Sequence, residues 1–220
     1  MSDIKSKSTI ISPQRRQLLK LGLFTGATSA IAIAAGSGSK ADAQGSRQNL
    51  RGDIEILNGA IALEQKAINT YVAAAENKLL PTKAFLDVAV QFAGDHTNHR
   101  DRLKQIVSRE FRATPASTEN LGTFPIPQKV LKGGEAEVLR YALTLEMIAA
   151  KSYLDFATAK LTTDAAKDVA ATIMPVESMH AAVFRTVLMA VLNEKGLAME
   201  TKIVPYSFLS EFPTPPVPTA

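Results

Sequence analysis

Four stretches of the chain set apolar residues at steps of three and four. Roughly, they run from Asp53 to Asn77, Lys83 to Arg109, Glu135 to Lys160 and Asp164 to Lys195. That spacing predicts helices with one buried face. At about 1.5 Å per residue they would be about 38 to 48 Å long, the dimensions of a bundle. The link Leu79-Leu80-Pro81-Thr82 is short, and so is Leu161-Thr162-Thr163, so the first helix pairs antiparallel with the second and the third with the fourth. Between the pairs, Thr114 to Gly134 carries Pro115, Gly122, Pro125, Pro127, Gly133 and Gly134. These residues break helices and leave enough chain to travel the length of a bundle. The expected fold is all-α: two antiparallel helix hairpins joined by a long crossover.

The seams of the two hairpins correspond. The second helix reads Phe85, Ala89, Phe92, His96, His99, Leu103, Ile106, and 81 residues further on stand Ala166, Ala170, Ile173, Glu177, His180, Phe184, Val187. The first helix reads Ile54, Leu57, Ile61, Glu64, Ile68, Tyr71, Ala75, and 82 residues beyond Glu64 and Tyr71 stand Glu146 and Tyr153. Duplication of a helical hairpin is the economical reading.

Within these seams, Glu64, His96, His99, Glu146, Glu177 and His180 occupy positions that periodicity assigns to the interior, and the set takes in all three histidines of the chain. An ionised carboxylate in an apolar core costs several kcal/mol unless its charge is compensated. Three carboxylates in one layer with three imidazoles call for cations. Oxygen and nitrogen donors without sulfur suit iron, manganese or zinc. On a helix, residues i and i+3 share a face, so Glu177-x-x-His180 and His96-x-x-His99 can each present two donors to one site. Asp95, one position off the seam, reads as a solvated surface acid, and Arg100-Asp101-Arg102 as a solvated charge run.

With these residues the chain resembles the ferritin-like di-iron carboxylate superfamily, especially its exported, desiccation-related and rubrerythrin-like branches, over roughly residues 53 to 195. The resemblance implies a ferritin-like four-helix bundle with one Glu from each of the first and third helices and a Glu-x-x-His from each of the others. Glu64 and Glu146 match the lone carboxylates, Glu177 and His180 the fourth-helix pair, and His99 the second-helix histidine. By the same resemblance Glu64, His99, Glu146 and His180 are terminal ligands and Glu177 bridges. His96 departs, standing where the family has a bridging Glu. Three carboxylates balance three of the four charges of two divalent ions. A bridging hydroxide or Asp95 would supply the fourth, and a mononuclear site or a metal other than iron also meets the count. Tyr71 and Tyr153, two turns after the lone carboxylates, read equally well as partners of the site and as core aromatics.

Charge separates the N-terminus from the rest. The chain has 25 Lys and Arg against 21 Asp and Glu, a formal +4. Lys5, Lys7, Arg15, Arg16, Lys20 and Lys40 against Asp3 and Asp42 place all of that excess in residues 1–43, leaving 19 of each sign beyond. A neutral body lacks the basic footprint that nucleic acid requires, which excludes it as an expected partner. Residues 1–43 read as a signal peptide: Arg15-Arg16 followed by Gln17-Leu18-Leu19-Lys20, an apolar run from Leu21 to Ala35, and Ala41-Asp42-Ala43 as a small-x-small cleavage site. The paired arginines resemble the twin-arginine export signal, which implies the export machinery as a partner, folded cargo and a periplasmic destination. A retained anchor is the weaker reading, because Gly22, Thr25, Gly26, Thr28 and Ser29 dilute the apolar run. The chain thus divides into a signal at 1–43, a polar linker at 44–52, the bundle at 53–196 and a Pro-rich tail at 197–220. With no cysteine, thiol catalysis and thiolate metal sites are excluded.

The functional expectation is an exported ferritin-like protein holding a divalent metal, with iron ahead of manganese and zinc, that handles oxygen or peroxide in envelope stress. The alternative is a non-enzymatic stress, desiccation-related or structural bundle. Turnover is not legible in the sequence. A homo-oligomer stays open, although nothing specifies a ferritin shell.

Overall fold

The computed structural model describes residues 40–193 and Leu209. Most of the signal read at 1–43 and, apart from Leu209, the tail read at 197–220 lie outside these residues. The described chain is helical throughout its regular parts, with no strand. Helix α1 is Lys40–Glu76, α2 Lys83–Gln105, α3 the short Gln128–Lys132, α4 Glu135–Asp155 and α5 Asp164–Thr186. Helices α2, α4 and α5 each close on a wider, π-helical turn, at Ile106–Glu110, Phe156–Lys160 and Val187–Val191. No helix among the described residues is long and apolar enough to cross a membrane.

Helix α1 begins well before Asp53. Residues 44–52, expected as a linker, continue it as largely exposed turns. No proline interrupts this stretch, and a helix surrounded by water shows no apolar stripe from which its start could be read. Beyond Glu76 the chain turns at Lys78, which takes a positive φ of 53° while the Leu79 N–H donates to the Ala74 carbonyl at 2.9 Å. Pro81 then blocks continuation.

The duplication extends into the backbone. Helices α2 and α5, their π turns, and the positive-φ residues Arg112 and Asn193 that follow all sit 81 residues apart. Helix α1 packs along α2, and α4 along α5, with α2 and α5 meeting on a shorter seam. Two apolar clusters result. One gathers Phe85, Phe92, Leu139, Met147, Phe184 and Leu188, the other Leu57, Ile61, Leu103, Ile106, Ala170 and Ile173. The carboxylate and imidazole layer lies between them.

Each hairpin holds the turn of the other. Asp53, 1% exposed at the buried start of α1, accepts hydrogen bonds from the backbone N–H groups of Thr162 and Thr163 at 2.9 and 2.8 Å, and from both hydroxyls. Eighty-two residues later, Glu135 at the start of α4 accepts from the Thr82 N–H at 2.9 Å and its hydroxyl at 2.8 Å. The crossover is fastened to α1 in the same manner. Asn58 accepts from the Ala116 N–H at 2.7 Å, Asn69 donates to the Leu121 carbonyl at 2.5 Å, and the Thr70 hydroxyl accepts from the Phe124 N–H at 3.0 Å. Side chains of the bundle thus satisfy backbone groups that a non-helical segment cannot pair with itself.

Candidate metal centre

All six residues singled out in the sequence converge on one layer. Glu64 comes from α1, His96 and His99 from α2, Glu146 from α4, and Glu177 and His180 from α5. Five of them are buried, and His99 is 11% exposed. The donor atoms form two groups, Glu64, His96, His99 and Glu177, and His96, Glu146, Glu177 and His180, within each of which all lie within 4.8 Å of one another. His96 and Glu177 belong to both.

Shared helical faces explain the convergence, and cross-bundle bonds hold it. His96 Nδ1 lies 2.7 Å from Glu64 Oε2, and its Nε2 lies 3.3 Å from Glu146 Oε1. One imidazole therefore spans the two lone carboxylates. His180 Nδ1 lies 3.1 Å from Glu146, while the Phe92 ring stacks on His180 with centroids 3.8 Å apart. The Tyr71 hydroxyl on α1 donates to Glu146 on α4, and the Tyr153 hydroxyl on α4 donates to Glu64 on α1 at 2.5 Å. The two tyrosines are thus partners of the site, crossed between hairpins. Burial and the adjoining Glu146 and Glu64 charges push both phenols well above 10.0, so both remain donors.

Asp95 corrects its surface reading. Its carboxylate lies 3.2 Å from His180 Nε2 and 34% of its side chain is exposed, so it fixes the outer nitrogen of that ring. Arg100 is likewise no free surface charge, because it donates to Gln65 at 2.8 Å, and Gln65 in turn donates to Asn69 beside the crossover. No periodicity could find these, since each partner lies on another helix or along an outer face.

The electrostatics single out Glu177. Burial alone would raise Glu64, but hydrogen bonds and charge from His96 and His99 outweigh it and hold the carboxyl at about 2. Glu146 is likewise held well below 4.5 against its burial by His96 and His180. For Glu177, burial and the neighbouring Glu146 push the carboxyl up, and the imidazoles offset this only in part. Both its oxygens lack an aligned hydrogen bond, although His99 Nδ1 lies only 2.9 Å away. Among the imidazoles burial opposes protonation, yet the carboxylates prevail and raise His99 and His180 to about 9 and His96 well above 6.5. Without a metal the imidazoles therefore favour their protonated form beside Glu64 and Glu146. Binding a cation requires those rings to release protons.

The donor set fits a divalent ion. Glu177 supplies a buried carboxylate without a directed partner between two groups of oxygen and nitrogen donors, and an ion satisfies such atoms where a proton network does not. Asp95, behind His180, brings the fourth negative charge that His96 withholds. Comparison with curated proteins and with solved structures finds no match to this chain. A family model for the ferritin-like domain matches residues 52–190, from the buried part of α1 to the π turn that ends α5. The chain belongs to the ferritin-like family.

Proposed function

We propose that the protein is an exported, metal-binding ferritin-like protein of the rubrerythrin or desiccation-related kind, which holds iron in the bundle, as one ion or two, and handles oxygen or peroxide. The observation that carries the metal reading is Glu177, 0% exposed and without an aligned donor at the junction of the two groups. For two ions, Glu64 and His99 would hold one and Glu146 and His180 the other, with Glu177 and His96 available to both. Bound ferrous iron would supply the electrons for reducing oxygen or peroxide. The chain's own part is to exclude bulk water, orient the carboxylates through Tyr71 and Tyr153, and fix the His180 ring through Asp95. The pair Arg15-Arg16 supports export of folded, metal-loaded protein to the periplasm.

The test is metal content. Purified mature protein should carry iron by mass spectrometry, and His99→Ala and Glu146→Ala should each lose most of it. Near-zero metal in all three overturns the reading. For export, Arg15→Lys with Arg16→Lys should leave the precursor in the cytoplasm. Normal export of that variant would remove the twin-arginine assignment.

One observation favours a second reading, a non-enzymatic stress or structural bundle. The imidazoles of His96, His99 and His180 lie within 2.7–3.8 Å of the buried carboxylates and compensate their charge without any ion. If such a bundle keeps a metal for stability, a chelator lowers its melting temperature, and with or without one no oxygen is consumed when ferrous iron is added. Rapid oxygen uptake that depends on Glu177 would reject it.

A further inference from the structure

Between α1 and α4 lies a cavity of about 300 Å³ that the metal reading does not use. The two helices stand apart because Tyr71 and Tyr153 act as struts, each phenol crossing to the carboxylate of the other helix. Beyond the struts the facing positions are small. Ala60 and Ala67 on α1 correspond, 82 residues on, to Ala142 and Ala149 on α4, and all four line the cavity. Small side chains normally let helices close up. Here the struts prevent closure, and the alanines leave the intervening space empty. Phe124 and Ile126 of the crossover form part of the wall. Leu63, which also lines it, is 47% exposed, so the cavity reaches the surface.

The wall offers a ligand almost nothing polar. Its three hydroxyl groups away from the metal layer are all committed to backbone: Thr70 donates to the Lys66 carbonyl at 2.7 Å, Ser152 to that of Ile148 at 2.8 Å and Tyr141 to that of Pro125 at 2.8 Å. Polar groups return only at the floor, where Glu64, Glu146 and His96 line the cavity with the two struts. An apolar chamber whose floor is the carboxylate layer has the form of a small-molecule site, with a mostly apolar lining and a few convergent polar groups. At about 30 Å³ per water-sized group, it has room for roughly ten non-hydrogen atoms.

We infer that this cavity binds an uncharged, mainly apolar molecule of about ten to fifteen non-hydrogen atoms, such as a medium-chain alcohol or an alkylphenol, with its polar end toward Glu64 and Glu146. An anion of the same length is disfavoured, because Glu64 and Glu146 stand at the floor, both nitrogens of His96 are turned to them, and no Lys or Arg lines the cavity among the described residues. A cation would have to give up its hydration along a wall that carries no acid above the floor. The binding site stands on the cavity alone. That its ligand is what the centre acts on rests on the metal reading above.

Mature protein dialysed against chelator is titrated with 1-aminoanthracene, an uncharged fluorophore of about fifteen non-hydrogen atoms that brightens in apolar surroundings, and then competed with 1-decanol or decanoate. The expected result is saturable binding at one probe per chain, displaced by decanol at concentrations at least tenfold below those needed for decanoate. Ala67→Phe and Ala149→Phe, which fill the cavity from opposite walls, should each weaken binding at least tenfold, and whichever retains the cooperative melt of the parent is decisive. Val90→Phe, on the exposed face of α2, should leave it unchanged. Absence of saturable binding, equal competition by decanoate, or unchanged binding in a folded cavity variant overturns the proposal. Because the titration is metal-free, its failure leaves the metal content untouched, and a failure of metal binding leaves the titration intact.

Discussion

At Glu177 the nearest imidazole nitrogen is 2.9 Å away, yet neither oxygen receives an aligned hydrogen bond. Proximity supplies charge without satisfying direction, and a cation coordinated by these oxygens would meet both needs. His180 differs, because Asp95 on α2 fixes its outer nitrogen while the ring faces Glu146 and Glu177. Partners of this kind typically contribute 10- to 100-fold in metal affinity. Asp95→Asn should therefore weaken metal binding by about tenfold or more, by competition with a chelating dye, while the fold stays intact. Affinity equal to that of the parent would show that the Asp95 contact does not tune the ring. Sequence favoured Asp95 as a surface acid, with a carboxylate for the site as the lesser reading, and could not show its contact because the partner lies 85 residues away on α5.

Among the elements, the hairpins are locked by acids at the buried end of α1 and the start of α4. Asp53 satisfies two backbone N–H groups and two hydroxyls while almost fully enclosed, whereas Glu135 serves Thr82 from an exposed turn. Loss of Asp53 leaves the half-buried Thr163 N–H and hydroxyl unsatisfied, each at about 1–3 kcal/mol, while the donors of exposed Thr162 and Thr82 turn to water. Asp53→Ala should destabilise by about 3 kcal/mol and Glu135→Ala by less than about 1 kcal/mol, measured by urea unfolding. Equal losses would mean that burial does not set the difference. Helix existence, hairpin pairing and crossover were legible in periodicity and breakers, since those are local properties. The start of α1 at Lys40, the short α3 and the π turns were not. An exposed helix bears no stripe, and a helix end depends on which carbonyl a particular N–H reaches.

For the whole molecule, the cluster links stability to pH. His99 and His180 are raised from 6.5 to about 9, so their contribution is complete below pH 6.5 and is lost as pH rises through about 9. His96, raised still more clearly, acts in the same sense. Glu64 is lowered from 4.5 to about 2, so its contribution holds above pH 4.5 and disappears as pH falls through about 2. Glu177 opposes, because its raised carboxyl reduces stability as it ionises above 4.5. Chelator-treated protein should therefore melt several degrees lower at pH 9 than at pH 6.5, and a bound divalent ion should remove that difference by replacing the imidazole protons. A melting temperature that climbs from pH 6.5 to 9 without metal would contradict this balance.

The sequence by itself determined the number and pairing of the long helices, the duplication, and the membership of the polar layer. Those follow from which side of a helix each residue occupies, and a 3.6-residue period reports that directly. Only the tertiary structure decided how the layer is wired. The rotation of one helix against another turns Asp95 toward His180, crosses the two phenols between hairpins, and encloses Asp53 against the Thr162-Thr163 turn. The separation of α1 from α4 was also beyond local pattern, because alanines at facing positions are compatible with close packing as well as with a chamber. The struts that choose between them join residues 75 and 89 positions apart.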